Sequence, residues 1–296
     1  MTRVLVSGGT GFVGRFIVEH LMASGYEVVV GGRTPPASAF FSKSVAFVPL
    51  LLAPDIDQSA AFRHVDHFVH AAFQHVAGRY RGGEGDDPEG FRRSNLDGSV
   101  RLFQTARNEG VKRCVFLSSR AVYGEQPPGA DLFEDTPCNP ESLYGALKLE
   151  AENELDALGT AAFKTVSLRV TGVYGVPGEG AAHKWQPLFD DYLSGRVIAP
   201  RAGTEVHGED VAAAVRLALQ TPLDRLQGGV LNVSDVLIDN RAILAMVQNI
   251  IGCPHPLPGP AALTAFNAMN TEKIRALGWQ PGGLERLQAT VKTLLT

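Results

Sequence analysis

Short apolar runs rich in β-branched residues alternate with longer, helically spaced segments through residues 1–175. "RVLVSG" (3–8) reads as a strand. "GRFIVEHLMASG" (14–25) carries Phe16, Ile17, Val18 and Leu21 at apolar positions and closes on glycine, as an amphipathic helix does. "EVVVGGR" (27–33) and "HFVHAAF" (67–73) are strands, and "FRRSNLDGSVRLFQTARNEG" (91–110) is a long helix. "RCVFLSS" (113–119), "ESLYGALKLEAENELDAL" (141–158) and "TVSLRVTGVYG" (165–175) continue as strand, helix, then strand and turn. Strands buried on both faces and separated by helices predict a parallel sheet, and right-handed crossovers place helices on both of its sides. The expected class is α/β.

After residue 175 the alternation loosens. A loop and helix span 176–196, a turn feeds a helix over 204–220, and a strand covers 228–235. A helix follows over 240–252, then the Pro-rich loop "CPHPLPGP" (253–260) and a small group of helices. "FVPLLLAPDID" leaves the third strand undefined, with Asp55 its nearest acidic residue, and the Gly-rich "AGRYRGGEGDDPEG" (77–90) reads as a mobile loop.

"VSGGTGFVG" adds chemistry to this pattern. Gly8, Gly11 and Gly14 fall between the first strand and the first helix. A glycine turn there lets backbone approach a pyrophosphate, and the helix N-terminus favours its charge. The chain is thus expected to be a Rossmann-type doubly wound parallel sheet with a small C-terminal substrate-binding cap. Residues 1–170, with a returning segment near 204–236, would bind the dinucleotide; 171–203 and 237–296 would form the cap. At the end of the second strand, where an NAD-binding fold usually places a carboxylate, the chain has Gly31, Gly32 and Arg33. A guanidinium matches a 2′-phosphate, so NADP(H) is favoured and NAD(H) remains possible.

Bulk properties narrow the field. A net charge of −4 provides no basic footprint for nucleic acid. No apolar run approaches the roughly 20 residues that span a bilayer, and the N-terminal run is too short for a signal peptide. The three cysteines, Cys114, Cys138 and Cys253, have no metal or disulfide spacing and read as reduced thiols of a cytoplasmic protein. The eight histidines show no HExxH-like spacing, so no metal is expected.

Tyr144 and Lys148 are four apart on the 141–158 helix and share a face. Alone, the pair fits a solvated helix face as well as a site in which an ammonium lowers a phenol's pKa for proton transfer. Together with the glycine loop, however, the chain resembles the extended short-chain dehydrogenase/reductase family. The resemblance rests on "GGTGFVG", "HFVHAAF", Asn95 in "NLDG", "FLSSRAVYG", "EDTPCNPESLYGALK", "LRVTGVYG", "VHGEDVAAAV" and "KIRALGWQP". It implies that Ser119, Tyr144 and Lys148 are catalytic: Tyr144 as acid/base, Lys148 lowering its pKa and holding the nicotinamide ribose, Ser119 orienting the substrate oxygen. It places Gly8, Thr10, Gly11, Phe12, Val13, Gly14, Arg33, Ala71, Ala72, Asn95, Tyr144, Lys148 and Val173 around the cofactor. His75, Arg79, Tyr80, Ser119, Arg120 and Trp185 are candidates for touching substrate. It also implies a homodimer packed through the 91–110 helix and the Tyr144 helix.

Two departures shape the functional expectation. Where nucleotide-sugar members carry an asparagine and an arginine toward the substrate phosphates, this chain has Gly172 and Gly203, with Arg201 nearby. Arginine at position 33 also suits reductases of the dihydroflavonol type. The leading expectation is therefore an NAD(P)(H)-dependent oxidoreductase interconverting alcohol and carbonyl on a small sugar-like or other carbonyl substrate. The alternative is a nucleotide-sugar 4-epimerase or dehydratase with retained NAD; a non-enzymatic dinucleotide-binding regulator is the third reading.

Overall fold

The computed structural model describes residues 1–76, 83–178, 180–222, 225–226 and 229–296. The chain opens with β1 (Arg3–Ser7), α1 (Phe12–Ala23), β2 (Glu27–Gly32), β3 (Ala46–Pro49) and β4 (His67–His70). Next come α2 (Pro88–Arg92), a π-helical turn (Arg93–Asp97) and α3 (Gly98–Asn108), which together form the predicted long helix. β5 (Arg113–Ser119), α4 (Leu143–Ala157), β6 (Lys164–Val170), β7 (Gly172–Tyr174), α5 (Gln186–Leu193) and β8 (Ala202–His207) follow. The remainder is α6 (Gly208–Gln220), β9 (Val230–Val233), β10 (Val236–Asp239), α7 (Asn240–Ile251), α8 (Glu272–Ala276) and α9 (Gly283–Leu294).

Seven parallel strands form the main sheet in the order β3-β2-β1-β4-β5-β6-β9. The order reverses between β1 and β4, so a crevice opens at their carboxyl ends, the place where such sheets bind ligands. The period-2 pleat divides the apolar strand residues between two layers. Val4 and Val6 pack with Ile17 and Leu21 of α1 and Val211 and Val215 of α6. Leu5 faces the other way and packs with Leu102 and Phe103 of α3 and Leu147 and Leu155 of α4. A second sheet, β10-β8-β7, lies under a separate cluster of Tyr174, Trp185, Phe189, Tyr192, Leu244 and Leu287.

The structure adds to the sequence pattern in two places. The undefined third strand is β3, a four-residue edge strand ending on Pro49, where the missing N–H costs no ladder bond. The segment at 204–207, read as a turn, is the end of β8, which gains its strand character from pairing with β7 and β10. Residues 77–82 of the Gly-rich stretch, including Arg79 and Tyr80, lie outside the described residues.

A buried ion pair joins the layers beneath the carboxyl end of the sheet. Arg169 of β6 donates to Glu152 of α4, Nη2 to Oε2 at 2.8 Å and Nε to both oxygens at 3.2 and 3.1 Å. Their side chains are 6% and 4% exposed. Ser118 also donates to Glu152, Arg169 Nη1 donates to the Glu134 carbonyl at 3.0 Å, and the guanidinium lies 4.8 Å over the Tyr123 ring. Removing one member of such a pair strands the other charge. Arg169→Met is therefore expected to cost about 3–5 kcal/mol of stability in urea unfolding, and Arg169→Met/Glu152→Leu to recover most of it. A single variant less than about 1 kcal/mol below wild type would refute this account.

Candidate active site

The crevice is built first by close backbone approach. Gly8 has φ +69°, and its N–H donates to the Gly31 carbonyl at 3.2 Å. A β-carbon on Gly8 would meet the Ala72 backbone at 2.7 Å, so the turn after β1 and the chain after β4 touch there. A β-carbon on Gly14 would strike the Gly8 carbonyl, which keeps the first turn of α1 close under the loop. No side chain caps α1, so its first amides suit a bound pyrophosphate. These residues fit a dinucleotide. Thr10 and Gly11 are exposed at the turn and Phe12 and Val13 are partly buried. Arg33 is exposed just past β2. Asp55 forms an exposed ion pair with Arg93.

The catalytic candidates come together through one glycine. Ser119 ends β5, and its Oγ accepts from Ala121 N–H at 3.2 Å, opening a tight turn over Arg120–Val122. Ser142 caps α4 by accepting from Gly145 N–H at 3.1 Å. A β-carbon on Gly145 would come within 2.5 Å of the Ala121 carbonyl. The first turn of α4 is thus seated on the turn that follows Ser119, and Tyr144 stands half-buried beside it.

Lys148, one turn further along α4, is 4% exposed. Its ammonium donates to the Leu117 carbonyl at 2.6 Å and lies 4.6 Å from the centroids of Phe73 and Phe116, and 6.0 Å from that of Tyr144. Phe73 in turn meets Tyr144 edge-to-face at 5.0 Å. Burial pulls the Lys148 pKa down to about 7, against the attraction of Glu152. The aromatic faces and the carbonyl stabilise a charge that water no longer reaches.

A second buried line fixes the segment after β4. Asn95 of the π-helical turn accepts from Gln74 N–H at 2.7 Å and donates to the Gln74 and Phe91 carbonyls at 2.8 and 3.0 Å. Ser99 donates to the Asn95 carbonyl at 2.6 Å. Its oxygen must then accept from His70 Nε2–H, 2.9 Å away. That leaves His70 Nδ1 to accept from the Ser7 hydroxyl at 2.6 Å, while Ser7 Oγ accepts from Ala72 N–H at 3.4 Å. Burial, with the nearby Lys148 charge, pushes the His70 pKa down to about 3. The ring is therefore neutral, with its hydrogen on Nε2.

The remaining candidates occupy varied places. Ala71 donates to the Ser7 carbonyl at 3.2 Å, and Val173 of β7 pairs with Val206. Arg120 donates to the Asn267 carbonyl at 2.7 Å and lies over the Phe266 ring at 4.9 Å, which ties the C-terminal segment to the turn after Ser119. Trp185 is stacked on Tyr174 inside the apolar cluster beside the second sheet. His75 Nδ1 donates to the Val76 carbonyl at 2.9 Å. His70, Phe73, Phe116 and Glu152 went unremarked in the sequence, although Glu152 continues the four-residue stripe of Tyr144 and Lys148.

The profile of the NAD dependent epimerase/dehydratase family matches residues 4–234. This chain belongs to that family. It is an enzyme chain of the extended short-chain dehydrogenase/reductase type. UDP-glucose 4-epimerase of Streptomyces lividans is 30% identical over 319 aligned positions, covering 94% of this chain and 91% of that protein. The solved UDP-glucose 4-epimerase of Thermus thermophilus in complex with NAD superposes with a TM-score of 0.77 at 29% identity, covering 99% of both chains. MoeE5 in complex with UDP-glucuronic acid and NAD gives 0.79 at 25% identity, covering 99% of this chain and 98% of that one.

These similarities overturn the leading functional expectation. These relatives are UDP-glucose 4-epimerases, one matching nearly the whole chain and two others about 70% of it, so the small-substrate oxidoreductase gives way to the epimerase alternative. The NADP(H) preference drawn from Arg33 also finds no support: the family is NAD dependent, and these solved relatives hold NAD. An exposed guanidinium past a strand end carries no such information by itself.

The neutral His70 gives a pH signature. Its folded pKa of about 3 lies below the free value of 6.5. Below 6.5 the unfolded chain binds a proton that the folded chain refuses, so stability falls as pH drops from 6.5 toward 3, by up to about 1.4 kcal/mol per pH unit. His70→Asn should show a slope shallower by one proton in urea titrations across that window. Equal slopes would show that His70 does not set acid stability.

Proposed function

We propose that this chain is a nucleotide-sugar 4-epimerase, acting on a UDP-hexose and keeping its NAD through many turnovers. The observation that carries this reading is the near end-to-end similarity to UDP-glucose 4-epimerases, joined to a crevice in which Ser119, Tyr144 and Lys148 stand on one seated helix turn and strand end. NAD, when bound, would supply reversible hydride transfer at the sugar carbon. The protein's own groups do the rest. Tyr144 takes the proton from the sugar hydroxyl and later restores it, and Ser119 holds that oxygen. Lys148 acts through its charge. With a pKa near neutrality, it gains its proton most firmly when Tyr144 is a phenolate, and so favours that form.

The glycine turn at Gly8, Gly11 and Gly14, with the amides of Phe12 and Val13, would hold the pyrophosphate. Ala71, Ala72 and Val173 would line the cofactor. Asn95 would act at one remove, by fixing Gln74 and the residues before it. Residues 1–170 and 204–236 would form the cofactor-binding part and 171–203 and 237–296 the cap. Two copies would associate through α3 and α4. No helix among the described residues is long and apolar enough to cross a membrane. No cluster of three His, Cys, Asp or Glu side chains there could hold a metal.

The test is to purify the protein without added cofactor, denature it, and assay separately for conversion of UDP-galactose to UDP-glucose. Stoichiometric NAD(H) release and conversion are expected. Tyr144→Phe should lower turnover about 10²–10⁴-fold while NAD content is unchanged. An empty protein without epimerase activity, or an active Tyr144→Phe variant, would refute the reading.

A further inference from the structure

β7 lies just past the carboxyl end of the main sheet, and Val170, two residues before Gly172, is the strand partner of Ser119. Gly172 itself pairs with Glu205 of β8. The Glu205 carboxylate is ion-paired with Lys184, and the two side chains are 10% and 32% exposed. Glycines flank this pair on both strands. A β-carbon on Gly172 would collide with the Lys184 ammonium, and one on Gly203 would lie 3.8 Å from Glu205 Oε1. The ammonium therefore fills space that the missing side chain leaves at the ligand end of the sheet.

Its approach is fixed. His183 accepts from Trp185 N–H at 3.2 Å and packs against Phe189, while Trp185 stacks on Tyr174 at 5.2 Å. Lys184 projects from between these two buried anchors. As a strut the pair would be a poor choice: a carboxylate this buried is costly to desolvate, and a partner one-third exposed returns little. Burial raises the Glu205 pKa and outweighs the opposing pull of Lys184 and Arg201, so the carboxylate depends on its cations to stay charged.

We infer that Lys184 is the specificity residue that grips the diphosphate of the substrate, and that Glu205 holds its ammonium in position when substrate is absent. This rests on the proposed function. A diphosphate brings more negative charge than one carboxylate and can draw the exposed side of the ammonium without leaving the pocket. Arg201, whose charge also reaches Glu205, adds to the positive field.

The experiment is calorimetric binding of UDP and of uridine to the purified protein with its cofactor. UDP should bind far more tightly than uridine. Lys184→Met should lose at least about tenfold of the UDP affinity, with uridine binding and NAD content unchanged, and Lys184→Arg should keep most of it. Lys184→Met/Glu205→Gln removes the pair without stranding a buried charge, and it should bind UDP as weakly as the single variant. If the double variant binds UDP like wild type, Lys184 is a strut and the inference fails while the epimerase reading stands. If wild type binds neither UDP nor uridine, both fall together.

Discussion

Burial of the Lys148 ammonium is the constraint around which the site is arranged. A charge 4% exposed must be held by groups that replace water, and here those groups come from separate parts of the chain. The Leu117 carbonyl belongs to β5, Phe116 to the same strand, Phe73 to the segment after β4, and Glu152 to the next turn of α4. Glu152 is fixed in turn by Arg169 on β6. Register errors anywhere along this path would leave a buried charge exposed to apolar surroundings. The same burial brings the Lys148 pKa to about 7, where its charge responds to the protonation of a neighbouring phenol.

The segment from Ala71 to Gln74 is held from two sides. On one side the Ser7, His70, Ser99 and Asn95 line anchors its backbone through Ala72 and Gln74. On the other, Phe73 is fixed between Lys148 and Tyr144. The hydrogen-bond directions in the line are all determined, so His70 can take only one tautomer. A platform with its rotamers and protons settled in advance orders little on binding, which suits the cofactor retention proposed above.

The sheet, the glycine turn and the shared face of Tyr144 and Lys148 were legible because each follows a short pattern: apolar runs separated by helical segments, glycines three apart, side chains four apart on a helix; Ser119 entered only through the family resemblance. β8 and β10 were not: "AGTEVH" has mixed polarity, "VLID" is only four residues long, and they form a sheet by pairing with each other and, for β8, with β7. His70 sits inside an apolar run where its ring is indistinguishable from a packed residue. Function was misread for a related reason. Gly172 and Gly203 looked like lost phosphate contacts, yet Lys184 stands at Gly172 from twelve residues downstream. Arg33 was overread because one charge beside a strand end has no partner in sequence to test it.

Two of this chain's ion pairs show how burial separates a structural charge from one available to a ligand. Glu152 and Arg169 are both under a tenth exposed, and the donors around them end on Glu152, on the Glu134 carbonyl or over Tyr123. Neither can change partners without stranding the other, so the pair stays closed throughout the reaction. Lys184 and Glu205 are unequal. The carboxylate is enclosed, whereas the ammonium has a third of its side chain in solvent and three donors to distribute. An anion arriving from that side can share the ammonium with Glu205, and the carboxylate's raised pKa allows it to accept a proton if the cation leaves. Asymmetric burial thus permits exchange where symmetric burial forbids it. It also places the exchangeable cation near the end of β6, opposite the strand that carries Ser119.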